Sequence, residues 1–179
     1  PVFNRGYYES NDLVVSISKV TRDIVNEITD KVENIYLPHA VDPKIFRPLN
    51  PKDIEKYKEA QGLKDKFVFF WNNRNARRKM SGSLIYWFKK FCEKVGNEKA
   101  VLIMHTDSSD PYGQPLDHLI NHFGIADGQI RISREKVQPE ILSLMYNLAD
   151  CTINISDAEG FGLATLESLS CGTPIIATM

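Results

Sequence analysis

Apolar positions along this chain fall into short blocks divided by turn residues. The spacing within the blocks switches between the strand period and the helix period. Residues 13–18 (LVVSIS) are apolar and β-branched and predict a strand. Val20, Ile24, Val25 and Ile28 then recur at helical spacing, with Ser18 placed to cap the helix. Residues 33–37 (ENIYL) predict a second strand, closed by Pro38. A loop punctuated by Pro43, Pro48 and Pro51 follows and marks the boundary between two structural units. The reading places residues 1–45 in the first unit and 46–179 in the second.

Beyond a short helix at 53–61, ended by Gly62, strands and helices alternate. Residues 67–71 (FVFFW) form a continuous apolar run, as expected of a strand buried on both faces of a parallel sheet. Residues 81–95 put Leu84, Phe88, Phe91 and Val95 on one stripe, with Ser81 or Ser83 as cap and Gly96 as stop. Further strands are predicted at 100–105, 129–133, 151–155 and 174–177. The helices between them are predicted at 116–123, 139–148 and 162–170. This alternation predicts right-handed βαβ units, hence an α/β fold with a doubly wound, Rossmann-like parallel sheet.

The most informative segment is DAEGFGLATLE, residues 157–167, which leaves a buried strand and opens a helix. Open α/β sheets bind ligands at such strand C-terminal ends. Gly160 and Gly162 allow a tight bend and close approach by a ligand. The N–H groups of Phe161, Gly162 and Leu163 then face outward at a helix N-terminus, an arrangement that favours phosphate. Glu159 and Glu167 stand eight residues apart, one in the turn and the other in the helix. A carboxylate in such a place can accept two vicinal ribose hydroxyls. Taken alone, the two glutamates also fit a solvated helix face.

The surrounding residues give a resemblance to the family 4 glycosyltransferases of GT-B fold. Their signature stands here as INISDAEGFGLATLESLSCGTPIIAT. Two further segments agree with it. The family's interdomain N-G-V-D-x-x-x-F-x-P appears as HAVDPKIFRP, residues 39–48, and its Tyr-x-x-Ala-Asp pattern as YNLAD, residues 146–150. The resemblance implies the C-terminal, donor-binding half of such an enzyme, truncated at both ends. It implies a retaining hexosyltransferase that uses a UDP-, GDP- or ADP-linked sugar without a metal or other cofactor, on an unknown acceptor.

By the same resemblance, Arg74 and Lys79, five residues apart in WNNRNARRKM, contact the donor diphosphate. Cations there stabilise the charge of the leaving group. Glu159 faces the transferred sugar and Glu167 the ribose. Thr165 adds a phosphate hydrogen bond, and the 131–135 stretch flanks the base. Glu159 as a nucleophile and a front-face mechanism both remain open. Arg77 and Arg78 read as solvated charges. The sequence departs from the family pattern at His39-Ala40, at Asn72-Asn73 and Met80, each where a glycine is usual, and at Ser156-Asp157. Those departures keep two other readings in view: a non-catalytic interaction module, and a GT-B relative such as an epimerase or phosphorylase.

Composition narrows the partners. The 179 residues are 42% hydrophobic and 25% charged, as in a globular chain, and the formal charge of −1 argues against a nucleic-acid polymer. Cys92, Cys151 and Cys171 lack metal-ligand spacing and read as reduced, buried thiols of a cytoplasmic protein, peripheral to a membrane in its full-length form. His105, His118 and His122 read as local hydrogen-bonding groups. No apolar run approaches the roughly 20 residues that span a bilayer, and PVFNRGYYESNDL has no signal-peptide pattern. The chain begins without Met and ends at a strand, so both ends are expected to be truncation points. The unpaired sheet edge left there is expected to drive homo-oligomerisation.

Overall fold

The computed structural model describes residues 2–178. They form two compact units that meet in sequence between Ala40 and Val41. In the first, α1 (Arg5–Glu9) precedes β1 (Leu13–Ser16), α2 (Lys19–Ile28) and β2 (Glu33–Tyr36). The two strands pair in parallel, Leu13 opposite Glu33 and Ser16 opposite Tyr36. The Ser18 hydroxyl accepts from the Thr21 N–H at 3.0 Å, the side-chain cap expected of it. Val25 and Ile28 of α2 are buried. The helix α1 has no apolar period and went unread in the sequence; Arg5 Nε donates to the Ile28 carbonyl at 3.0 Å and ties it to the end of α2.

The second unit contains α3 (Pro51–Ala60), β3 (Phe67–Asn72), α4 (Ser81–Val95), β4 (Ala100–His105), α5 (Leu116–His122), β5 (Ile130–Ser133), α6 (Pro139–Leu148), β6 (Cys151–Asn154), α7 (Leu163–Ser170) and β7 (Ile175–Ala177). The sheet order is β5-β4-β3-β6-β7 and every pairing is parallel. Alternate residues of β3 serve opposite layers. Trp71 joins Leu84 and Phe88 of α4, with Leu102 and Met104 of β4. Phe70 joins Tyr146 of α6 together with Phe46 and Cys171. Val68, Phe70 and Trp71 are fully buried, which is why this strand reads as an unbroken apolar run. Each such side chain contributes on the order of 2 kcal/mol through burial. Val41 and Ile45 pack with the Phe46 cluster, so the stretch assigned from sequence to the first unit lies from Val41 onward in the second. All three cysteines are buried free thiols.

Two local expectations are corrected. Neither Ser81 nor Ser83 caps α4: the cap position is Met80, without a side-chain hydrogen bond. The Ser81 hydroxyl is drawn away to Asn75 Oδ1 at 2.8 Å and Gln114 Oε1 at 3.2 Å. Met80 itself is left-handed, with φ 56° and ψ 33°. The short turn from β3 into α4 forces a conformation that glycine adopts without strain.

Candidate functional site

Strand order reverses between β3 and β6. From β3 the chain winds outward through β4 to β5, and from β6 it winds the other way to β7. The loops leaving such a pair of strands splay apart, and the crevice at their C-terminal ends is where open α/β sheets bind ligands. The Arg74–Lys79 turn leaves β3 and the Ala158–Leu163 bend leaves β6, so both predicted elements sit at the reversal. In the pairing of these strands Phe70 lies opposite Thr152. Two residues further on stand Asn72 and Asn154, one at each strand end. Each of these asparagines touches one of the two glutamates.

Glu159 is fixed by four groups. Its Oε1 accepts from the Lys79 ammonium, from Asn154 Nδ2 at 3.1 Å and from Ser156 Oγ at 2.9 Å. Arg78 Nη1 lies 3.6 Å from Oε2. Lys79 is buried, an unusual place for an ammonium, and Glu159 gives it its counter-charge. Burial alone would push the Glu159 pKa up; the hydrogen bonds from Lys79, Asn154 and Ser156 together outweigh that and hold it below the ordinary carboxylate value. Arg78 is not the solvated charge expected from the sequence. Its Nη1 donates to the Ala158 carbonyl at 2.5 Å, and its own carbonyl accepts from the Asp157 N–H at 2.8 Å. The two turns are thus stitched together across the crevice.

Glu167 lies one helical stretch later. Its Oε2 accepts from the Tyr146 hydroxyl at 2.7 Å and from Asn72 Nδ2 at 3.4 Å. Burial raises its pKa, and these two donors offset that only in part. Between the glutamates, Asn154 Nδ2 also reaches Thr165 Oγ1 at 3.2 Å. Gly162 caps α7 with φ 84°, a left-handed turn that a side chain would strain. A Cβ at Gly160 would meet no atom within 4 Å, so the protein itself does not require glycine there. Leu163 starts α7 and, with Gly162 and Phe161, places the helix N-terminus beside Glu159 in the chain.

Arg74 is held apart from this group. Its Nε donates to Asp110 Oδ2 at 2.5 Å, and its guanidinium lies 5.7 Å from the Tyr112 ring centroid. Asp110 is anchored in turn by the Tyr112 N–H at 2.9 Å, and the bond from Arg74 holds its carboxyl below the usual range. The loop that carries Asp110 is locked onto the Arg74 turn. Buried Asn75 donates to the Gln114 carbonyl at 2.8 Å, and a Cβ at Gly113 would lie 2.1 Å from the Asn75 carbonyl oxygen. From β5, Arg131 turns to the Gln61 carbonyl at 2.8 Å. Arg134 turns to Ser108 and Asp117.

Sequence reasoning passed over Tyr146, Asn72, Asn154, Ser156 and Asp110 as site residues. For Asn72 and Asn154 a signal existed: each is an amide that ends an apolar strand at a ligand-binding edge. Asp110 had none, because its pairing depends on a loop fold that local sequence does not encode. No helix among the described residues is long and apolar enough to cross a membrane.

Comparisons with known proteins converge on one kind of molecule. The family model of the glycosyl transferases of group 1 matches residues 53–179. The chain is 27% identical over 177 residues to the alpha-monoglucosyldiacylglycerol synthase of Streptococcus pneumoniae, covering 97% of this chain and 38% of that protein. It is 25% identical over 174 residues to the GDP-mannose-dependent alpha-(1-6)-phosphatidylinositol monomannoside mannosyltransferase of Mycolicibacterium smegmatis, covering 93% of this chain and 44% of that one. The chain therefore spans less than half the length of either relative. Among solved structures, HepE of Anabaena in complex with UDP and glucose superposes with a TM-score of 0.77 at 18% identity, covering 99% of this chain and 48% of that one. That likeness is one of fold.

Proposed function

Because the chain belongs to the glycosyl transferases of group 1, we propose that its larger unit is the donor-binding part of a retaining hexosyltransferase, with the nucleotide diphosphate of the sugar donor seated at the β3/β6 crevice. One observation carries this reading above the others. At the ends of the two strands where the sheet order reverses, Asn154 holds Glu159 of the Lys79–Glu159 pair and Asn72 holds the Tyr146–Glu167 pair. In this reading Glu167 accepts the ribose hydroxyls. Lys79, the opening of α7 around Phe161, Gly162 and Leu163, and the Thr165 hydroxyl face the diphosphate, and Glu159 faces the hexose. Arg74 adds a second cation once it shares its guanidinium between Asp110 and a phosphate oxygen.

Glu159 suits the role of holder better than that of nucleophile. Its Oε1 already accepts three hydrogen bonds, which tie up the lone pairs that an attack on the anomeric carbon would need. The reaction then runs on one face of the sugar. The bond from the anomeric carbon to the diphosphate oxygen breaks while the acceptor oxygen forms its bond on the same side. The departing phosphate takes the acceptor's proton, and Lys79 with the helix N-terminus stabilises the charge left on it. Relatives point to more than one base. The mannosyltransferase is named as GDP-mannose-dependent, and HepE was solved with UDP and glucose. The lipid-linked names of the two relatives make a membrane lipid the acceptor class this reading favours.

A second reading, a module that keeps the architecture without the chemistry, draws on the fact that both expected cations already have carboxylate partners. Calorimetry with a panel of UDP-, GDP- and ADP-sugars separates the two. The donor reading expects one or more of them to bind, with a loss of roughly tenfold or more for Lys79→Ala. No binding by any of the panel would support the second reading.

A further inference from the structure

We infer that Tyr146 is a positioning residue for the ribose-binding carboxylate: its buried hydroxyl, braced by Asn72, fixes Glu167 in the orientation that meets a nucleoside. The inference rests on the reading of Glu167 as the ribose ligand.

Tyr146 is fully buried on α6 and has little freedom. Its ring meets Phe70 edge-on at 5.0 Å between centroids and Phe46 at 6.3 Å. Its backbone carbonyl accepts from Thr173 Oγ1 at 2.7 Å, which ties α6 to the loop after α7. The hydroxyl therefore sits at a point set by the core. It accepts from Asn72 Nδ2 at 2.9 Å, so its own proton is directed to Glu167 Oε2 at 2.7 Å. Burial and the neighbouring carboxylate keep the phenol protonated, so it acts as a donor throughout the working range.

Glutamate has three rotatable side-chain bonds, and ordering it on binding weakens affinity. Here the ordering is done before the ligand arrives. Both protein donors address Oε2, which leaves Oε1 without a demand from either of them and available to a diol. The same bonds favour the ionised form that accepts hydroxyls, against the burial that disfavours it. Tyr146 is thus the point at which a core aromatic of α6 sets the geometry of a ligand group on α7.

The test uses Tyr146→Phe, which keeps the ring and its packing and removes the hydroxyl alone. Affinities of the chain for UDP, GDP and ADP are measured beside their 2′,3′-dideoxy counterparts and inorganic pyrophosphate. The inference expects Tyr146→Phe to lose roughly tenfold on whichever ribonucleotide binds, with the dideoxy form and pyrophosphate little changed. It also expects the acid limb of ribonucleotide binding to move to higher pH, because a donor to the ionised carboxylate is gone. If Tyr146→Phe does not fold, Asn72→Ala takes its place and is expected to show a smaller loss of the same kind. Wild type that prefers ribo over dideoxy forms, with a Tyr146→Phe variant that keeps that preference in full, overturns the inference and leaves the role of Glu167 standing. Equal weakening of all three probes also overturns it, because that marks a packing defect. A wild type indifferent to the ribose hydroxyls, or one that binds none of the probes, overturns the reading of Glu167 itself.

Discussion

Met80 illustrates how a single residue records the demands of a turn. Glycine is usual there in the resembling family, and the left-handed backbone explains why: the β3–α4 turn requires φ 56° whatever the side chain. The sequence exposed the departure, but only the dihedral gives its cost, about 1–2 kcal/mol for a non-glycine residue. Met80→Gly relieves that strain while adding freedom to the unfolded chain, so stability measured by urea denaturation is expected to stay within about 1 kcal/mol of wild type. Met80→Val, with a β-branched side chain at positive φ, is expected to lose about 2 kcal/mol. The reverse order would contradict this account of the turn. Glu167 supports a prediction of another kind. Its folded pKa is raised, chiefly by burial, so its contribution favours the folded state below the unfolded value, about pH 4, and is lost as pH rises through the folded value. Glu167→Gln retains an oxygen acceptor for Tyr146 and removes the buried charge. It is expected to melt higher than wild type at neutral pH, with the gain shrinking toward pH 4, and to bind ribonucleotides more weakly. A variant that melts lower at neutral pH, with the deficit closing toward pH 4, would show that the charge is stabilising where it stands.

At the scale of elements, the alternation of apolar blocks made every β-strand and α-helix of the larger unit legible, and for three spans to the residue, 81–95, 100–105 and 139–148, while the 3-10 turn at Arg77–Lys79 was not read. Period and length suffice there because each block is buried against a layer. What the sequence could not supply is how one loop meets another. Asp150 is an example. It was visible as part of a motif, yet its work is mechanical: it accepts from Lys58 Nζ at 2.6 Å and from the Val68 N–H at 2.7 Å, tying α3 and the start of β3 to the end of α6. Asp150→Ala leaves the Val68 N–H and the mostly buried Lys58 without that partner, and is expected to lower stability by about 2 kcal/mol. Thermal or urea unfolding tests this, and a loss under about 0.5 kcal/mol would mean that water replaces the carboxylate fully. The clamp of Asn75 on Gly113 and Gln114 was hidden for the same reason, since it joins residues nearly forty positions apart across two turns.

For the molecule as a whole, the order β5-β4-β3-β6-β7 matters more than any one contact. It places the two turns with the most chemistry, after β3 and after β6, beside the crevice that the strand reversal opens. Alternation in the sequence predicted a parallel sheet but could not give the order in which its strands lie, because order depends on which crossover turns back. The candidate site was legible in part. Lys79, Thr165 and Glu159 come together as one hydrogen-bonded group, and Glu167 stands at the end of the neighbouring strand. Arg74 answers instead to Asp110, a partner the sequence gave no reason to suspect. The most direct test of the central claim is a crystal structure with a nucleotide sugar soaked in. The account predicts the diphosphate between Lys79 and the first turn of α7, with the ribose hydroxyls on Glu167. A nucleotide bound at another edge of the sheet, or one seated in the crevice with its ribose turned away from Glu167, would contradict it.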